Sequence, residues 1–208
     1  MRPLGKMAVA AFVLSICMIA QQAHANSVIY SGVENIPVPN TSTGLYLDLE
    51  NGATGTSPFS GWDLNFFTFD YFGTDTLAVD INSSVDQFGS LVADGSGGLA
   101  LLNAGDSIGA ASNLAGGPIL AGSPGAWQNV SGGFMGYQFV DSSDQLHYGW
   151  LQLDAPGSAG LPATILGWAY DRGSSDILAG QTVPEPSSIA LLMTGLIGIG
   201  LKRRRMHP

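Results

Sequence analysis

Between Ser27 and Tyr170 the chain alternates short aromatic and β-branched runs with turns of Gly, Ser, Asn and Asp, roughly every ten positions. Long stretches of the strong helix formers Glu, Lys and Arg are almost absent. This rhythm predicts an all-β domain, an antiparallel and jelly-roll-like β-sandwich. The predicted strands are Ser27–Tyr30, Gly44–Leu49, Trp62–Phe69, Thr76–Ile81, Gln87–Ala93, Gly98–Leu102, Phe134–Val140, Tyr148–Leu153 and Thr164–Tyr170. They fall within residues 26–182, about 157 positions, enough for one domain with a substantial core.

Phase within the runs refines this. In Trp62-Asp63-Leu64-Asn65-Phe66 apolar and polar residues alternate, as on a strand with one wet face. Phe67, Phe69 and Tyr71 continue on the opposite parity, which predicts a bulge near Phe66–Phe67. Tyr148–Leu153 and Thr164–Tyr170 are apolar on both parities and should be central strands covered on both faces. From Asn103 to Ser131 the chain is rich in Gly, Ala, Ser and Pro and reads as a long loop with at most one short strand. No internal repeat is evident.

The two ends follow other rules. Arg2 and Lys6 precede an apolar run from Met7 to Ala20, and Ala23-His24-Ala25 places small residues where a signal peptidase reads them. Residues 1–25 are therefore expected to be a signal helix cut before Asn26, with Ala23 and Ala25 as the recognition residues. Cys17 suggests a lipoprotein signal instead, but Ile16 before it is not small, so the later cut is the better reading. Residues 183–208 open on Val183-Pro184-Glu185-Pro186, where two prolines one residue apart enforce a stiff extended tether. The apolar run 187–201 can enter a bilayer as a single transmembrane helix. Lys202, Arg203, Arg204 and Arg205 then resist crossing and remain on the cytoplasmic side.

Tripeptide, apolar run and basic stop together resemble the PEP-CTERM sorting signal of exported bacterial proteins, with Pro184, Glu185 and Pro186 intact. The resemblance implies that an exosortase, an integral membrane cysteine peptidase, recognises the tripeptide and cuts near it. It also implies a precursor held in the inner membrane with its N-terminus outside and C-terminus inside, before release to the cell surface or extracellular space. Gly105-Asp106-Ser107-Ile108-Gly109, His147-Tyr148-Gly149-Trp150-Leu151, Ala169-Tyr170-Asp171 and Ile177-Leu178-Ala179-Gly180 resemble, more loosely, an ectodomain type that often precedes this tail. That likeness implies an antiparallel β domain and no established activity.

Charge and side-chain inventory narrow the chemistry. All sixteen carboxylates lie between Glu34 and Glu185, with Arg172 the one cation among them, so the exported segment carries about −15. Such a field repels nucleic acid and anionic headgroups. The single cysteine falls in the signal and His147 is the only histidine of the mature segment, which removes thiolate and multi-histidine metal sites. No Gly-x-Ser-x-Gly elbow and no phosphate loop occur.

Carboxylates remain. Asp48 with Glu50 on one strand face, or Asp63 with a cross-strand partner, are candidates for a glycoside hydrolase pair, although acidic loop residues ordinarily only solvate. Asp141-Ser142-Ser143-Asp144, or Asp70 with Asp75, could hold a calcium ion, yet no strict Asp-x-Asp-x-Asp-Gly loop is present. No catalytic or metal-ligating residue is assigned. Trp62, Trp150 and Trp168 read as core, whereas Trp127, in a Gly/Pro/Ala-rich loop, is the best candidate for an exposed aromatic. Arg172 could pair with Asp171 or Asp176. Two functions remain in view: a non-catalytic cell-surface or matrix protein, or a carbohydrate-binding or carbohydrate-active one, calcium-assisted, whose partner is an extracellular polysaccharide.

Overall fold

A computed structural model of the chain describes residues 28–82, 89–122 and 125–182. The signal segment and the sorting tail lie outside these residues. The strands, in chain order, are β1 (Val28–Tyr30), β2 (Ile36–Val38), β3 (Leu45–Leu47), β4 (Thr54–Gly55), β5 (Leu64–Tyr71), β6 (Thr74–Ile81), β7 (Ser90–Val92), β8 (Ser107–Ile108), β9 (Leu114–Ala115), β10 (Ile119–Leu120), β11 (Val130–Val140), β12 (Leu146–Ala155), β13 (Ala163–Asp171) and β14 (Ile177–Leu178). Every pairing is antiparallel and no helix occurs among the described residues. Accordingly none of them forms a helix long and apolar enough to cross a membrane.

The larger sheet runs β1-β13-β12-β11-β7-β9, with β2 also pairing β13; the second runs β10-β6-β5-β3-β4; β8 and β14 form a separate two-stranded ladder. Inward residues of the two larger sheets merge into one cluster. Met135, Tyr137 and Phe139 from β11, with Leu151 and Leu153 from β12, join Leu45, Leu47, Leu64, Phe66, Leu77 and Val79 from the facing sheet. Close packing here depends on Gly149: a Cβ there would lie 2.4 Å from the Tyr137 ring.

β12 lies in the middle of its sheet, as its two-sided apolar pattern predicts. β13 earns the same pattern differently. Gln152 opposes Gly167 but Leu153 opposes Ile165, so Leu166 is an extra residue. The bulge switches the inward set from Ala163 and Ile165 to Trp168 and Tyr170.

The bulge expected near Phe66–Phe67 is absent. β5 pairs β6 in unbroken register from Leu64↔Ile81 to Tyr71↔Thr74. Leu64 and Phe66 point into the cluster, while Phe67, Phe69 and Tyr71 occupy the outward parity. Residues 98–102 form no strand, only the isolated bridges Ala93↔Leu99 and Leu102↔Phe134. The stretch 103–131 holds β8, β9 and β10, each two residues long, and the first two residues of β11, rather than one strand in a loop. Of the strand expected at 87–93, residues 90–92 form β7, while 83–88 lie outside the described residues.

Candidate functional site

Most candidate carboxylates gather at one end of the domain, where three turns meet. After β3 the chain turns through residues 48–53, and Asp48 caps that turn. Its Oδ1 accepts from the amides of Glu50 (2.9 Å) and Asn51 (3.1 Å), and its Oδ2 accepts from Asn51 Nδ2 (2.7 Å). Asp48 and Glu50 are thus turn residues, not neighbours on a strand face as the pattern suggested. Glu50 reaches the β11–β12 turn, where Ser142 donates to it through N (3.0 Å) and Oγ (3.1 Å).

Asp63, just before β5, is buried and accepts from the Leu49 amide at 2.7 Å. The Leu49 carbonyl in turn accepts from Trp168 Nε1 at 3.0 Å, so the backbone of one buried leucine is held by side chains of both larger sheets. Burial pushes the Asp63 carboxyl up to about 7; the Leu49 N–H opposes this, and the nearby Asp48 and Glu50 charges add to it.

His147, on β12, is 1% exposed. Its Nδ1 lies 2.8 Å from the Asp171 carbonyl and its Nε2 2.9 Å from Asp141 Oδ2. Both ring nitrogens therefore face oxygen atoms, which fixes the plane of the ring. Asp141 Oδ1 accepts from the amides of Ser143 (2.9 Å) and Gln145 (2.8 Å). Burial works to raise the Asp141 pKa, but hydrogen bonds from His147, Gln145 and Ser143 outweigh it and hold the carboxyl below its ordinary value. Asp171 Oδ2 accepts from Ser175 N at 2.8 Å, while its buried Oδ1 has no hydrogen-bond partner. The chemistry of this corner is turn-capping: its carboxylates accept from backbone donors and from one histidine.

The expectation for Arg172 does not hold. Neither Asp171 nor Asp176 pairs with it; the contact at ion-pair distance among the described residues is His147–Asp141, and the Arg172 charge lies near Tyr170, whose hydroxyl pKa burial raises and Arg172 pulls back. Asp70 and Asp75 face each other across the β5–β6 hairpin, where Asp70 Oδ1 accepts from Gly73 N at 2.7 Å. Among the described residues no group of three or more His, Cys, Asp and Glu could hold a metal ion.

Trp127 is a correction: it is 0% exposed and belongs to the central cluster. Its indole Nε1 has no hydrogen-bond partner. Loop composition around Trp127 hid this, because a small-residue loop can fold over a large ring as easily as display it. The most exposed aromatics lie on the β5–β6 hairpin instead, with Phe69 at 46% and Phe72 at 91% exposure. Tyr71 and Phe72 stack edge-on with ring centroids 4.7 Å apart. The signal was present in Asp70-Tyr71-Phe72-Gly73, a turn-forming Asp and Gly bracketing two aromatics.

The four segments read as ectodomain-like converge. β14 pairs β8 through Ile177↔Ile108 and Leu178↔Ser107, His147 binds the carbonyl of Asp171, and Trp150 Nε1 donates to the Gln181 carbonyl at 3.0 Å. The predicted sorting residues Pro184, Glu185 and Pro186, the stop Lys202–Arg205, and the signal residues Ala23 and Ala25 lie outside the described residues.

Among protein-family models, the PEP-CTERM protein-sorting motif matches residues 182–205. Searches of curated proteins and of solved structures found no match. The chain therefore carries a PEP-CTERM sorting motif, and the motif begins at the residue where the described domain ends.

Proposed function

We propose that this is an exported bacterial protein whose β-sandwich ectodomain is delivered to the cell surface or extracellular matrix by exosortase processing of its tail, and that the ectodomain is non-catalytic. The observation that carries the reading is the sorting motif at 182–205, which contains Pro184-Glu185-Pro186, the apolar run and the four cations in order. The sandwich reading is supported by the single cluster shared by the two larger sheets. The non-catalytic reading is supported by Asp48, Glu50 and Asp63, each of which accepts from backbone donors of a turn.

Topology follows from charge and length. The signal peptide sends the domain outward, and Lys202 to Arg205 hold the C-terminus inside. The apolar run of about 15 residues makes a helix of roughly 22 Å, against a hydrocarbon core of about 30 Å. Bilayer thinning and snorkelling of the flanking cations close the gap at modest cost. Such a span is a good temporary stop and a poor permanent anchor. In the native host, replacing Pro184, Glu185 and Pro186 with alanine is expected to leave export intact and trap the protein in the inner membrane. Arrival of the alanine variant at the surface at wild-type levels contradicts the reading.

A second reading, binding of an extracellular polysaccharide, draws on the exposed Phe69 and Phe72, since aromatic faces stack on the apolar faces of sugar rings. Screening the full-length protein on a polysaccharide array, with and without calcium, tests it.

A further inference from the structure

The last described segment, Ile177–Thr182, is a strap laid on the outward face of β11 and β12. It begins with β14, whose two residues pair only with β8. Ala179 N donates to the Asp106 carbonyl and Gly105 N to the Ala179 carbonyl, both at 2.9 Å, so most strap hydrogen bonds reach the loop before β8 rather than the main sheet. Within the strap, Gln181 closes a turn: its N donates to the Leu178 carbonyl (2.8 Å) and its Oε1 accepts from Leu178 N (3.0 Å). Ile177 and Ala179 are buried, and Gly180 sits in the left-handed region (φ 77°) against the Phe134 ring. The direct hydrogen bond from strap to central strand is that of Trp150 Nε1 to the Gln181 carbonyl. Trp150 is itself fixed edge-on to Phe134, with centroids 5.4 Å apart.

This fastening stops one residue short of the sorting motif, at 182–205. Only Thr182 and Val183 separate Gln181 from Pro184, a reach of about 10 Å for three extended steps. A peptidase takes its substrate as an extended strand several residues long, and a folded domain this close denies it the upstream part of that strand. Ile177 and Ala179 anchor the start of the strap by burial, whereas residues 180–182 are the kind of segment that opens locally, being short and tied to the main sheet by the one side-chain hydrogen bond from Trp150.

We propose that the strap is a built-in gate on tail processing. Closed, it hides the chain upstream of Pro184-Glu185-Pro186. Opened, it frees the chain from about residue 180 onward, and cleavage proceeds from the opened form. Trp150 is the positioning residue that sets how often the gate opens. The inference rests on the sorting reading given above and adds to it a rate control that resides in the ectodomain.

Trp150→Phe keeps a ring against Phe134 and removes the indole N–H. Loss of one neutral hydrogen bond is expected to open the strap about twofold to tenfold more often. Hydrogen exchange on the full-length protein in detergent should show amides of residues 180–182 exchanging faster by that factor, with β11–β13 unchanged. Pulse-chase in the native host should show the precursor of Trp150→Phe converted faster than wild type. A flexible Gly/Ser spacer inserted between Thr182 and Val183 should also speed conversion and abolish the effect of Trp150→Phe. Conversion of Trp150→Phe at the wild-type rate or slower, with strap exchange raised, overturns the proposal, as does unchanged strap exchange. Failure of the sorting reading looks different: the alanine tripeptide variant is then converted like wild type, whatever the strap does.

Discussion

Asp63 concentrates the electrostatics of the domain in one side chain. Its carboxyl titrates near 7 in the fold and near 3.8 in an unfolded chain, so the native state holds a proton that the unfolded state has released. The raised value means that the stability Asp63 contributes is complete below pH 3.8 and is lost as pH climbs through 7. The displacement is worth at most about 4 kcal/mol. Asp63→Asn keeps an oxygen for the Leu49 amide and removes the charge. It should flatten the fall in denaturant midpoint between pH 4 and pH 8 and leave the variant more stable than wild type at pH 8. A wild-type slope in the variant contradicts this assignment. Asp141 works in the opposite sense: its pKa is lowered, so its contribution is present above pH 3.8 and disappears as pH falls further. None of this was legible in the sequence, where Asp63 and Asp141 are two of sixteen carboxylates. Burial separates them, and burial depends on which turns meet. The same limit explains Trp127, whose place in the core depends on chain far from it in sequence.

At the scale of elements, residue type and alternation carried far. The strands expected at 134–140, 148–153 and 164–170 lie within β11, β12 and β13, because runs dense in aromatic and β-branched residues have few other uses in a Gly-rich chain. Phase was harder to read. Apolar residues on both parities mean either two covered faces or one bulge, and the sequence does not distinguish them. The bulge is at Leu166, not at Phe66–Phe67. Two-residue strands such as β8 and β14 carry no periodic signal at all and exist through each other. The β5–β6 hairpin shows an element bearing a locally unfavourable residue. Phe72 (φ 52°) and Gly73 (φ 81°) are the central pair of a two-residue turn with both φ positive, the type that favours Asn-Gly. Phe72→Asn should stabilise the domain by about 0.5–1 kcal/mol, raising Tm by roughly 1–4 °C. A lower Tm contradicts the view that Phe72 is a burden on its own turn.

For the whole molecule, the sorting motif at the C-terminal end was more legible than anything in the fold. A tripeptide, an apolar run and four cations in order constitute a signal that needs no tertiary structure to be read, and it corresponds to the sorting motif at 182–205. The domain between offers little such grammar, because its polar residues largely cap turns and its aromatics largely fill a core. Under the proposed function the tail is a temporary tether removed near Pro184-Glu185-Pro186. Intact-mass measurement on protein recovered from the native host tests this most directly. The expected mature species has its C-terminus near the tripeptide and lacks the apolar run and Lys202–Arg205. A mature species still ending at Pro208 contradicts it.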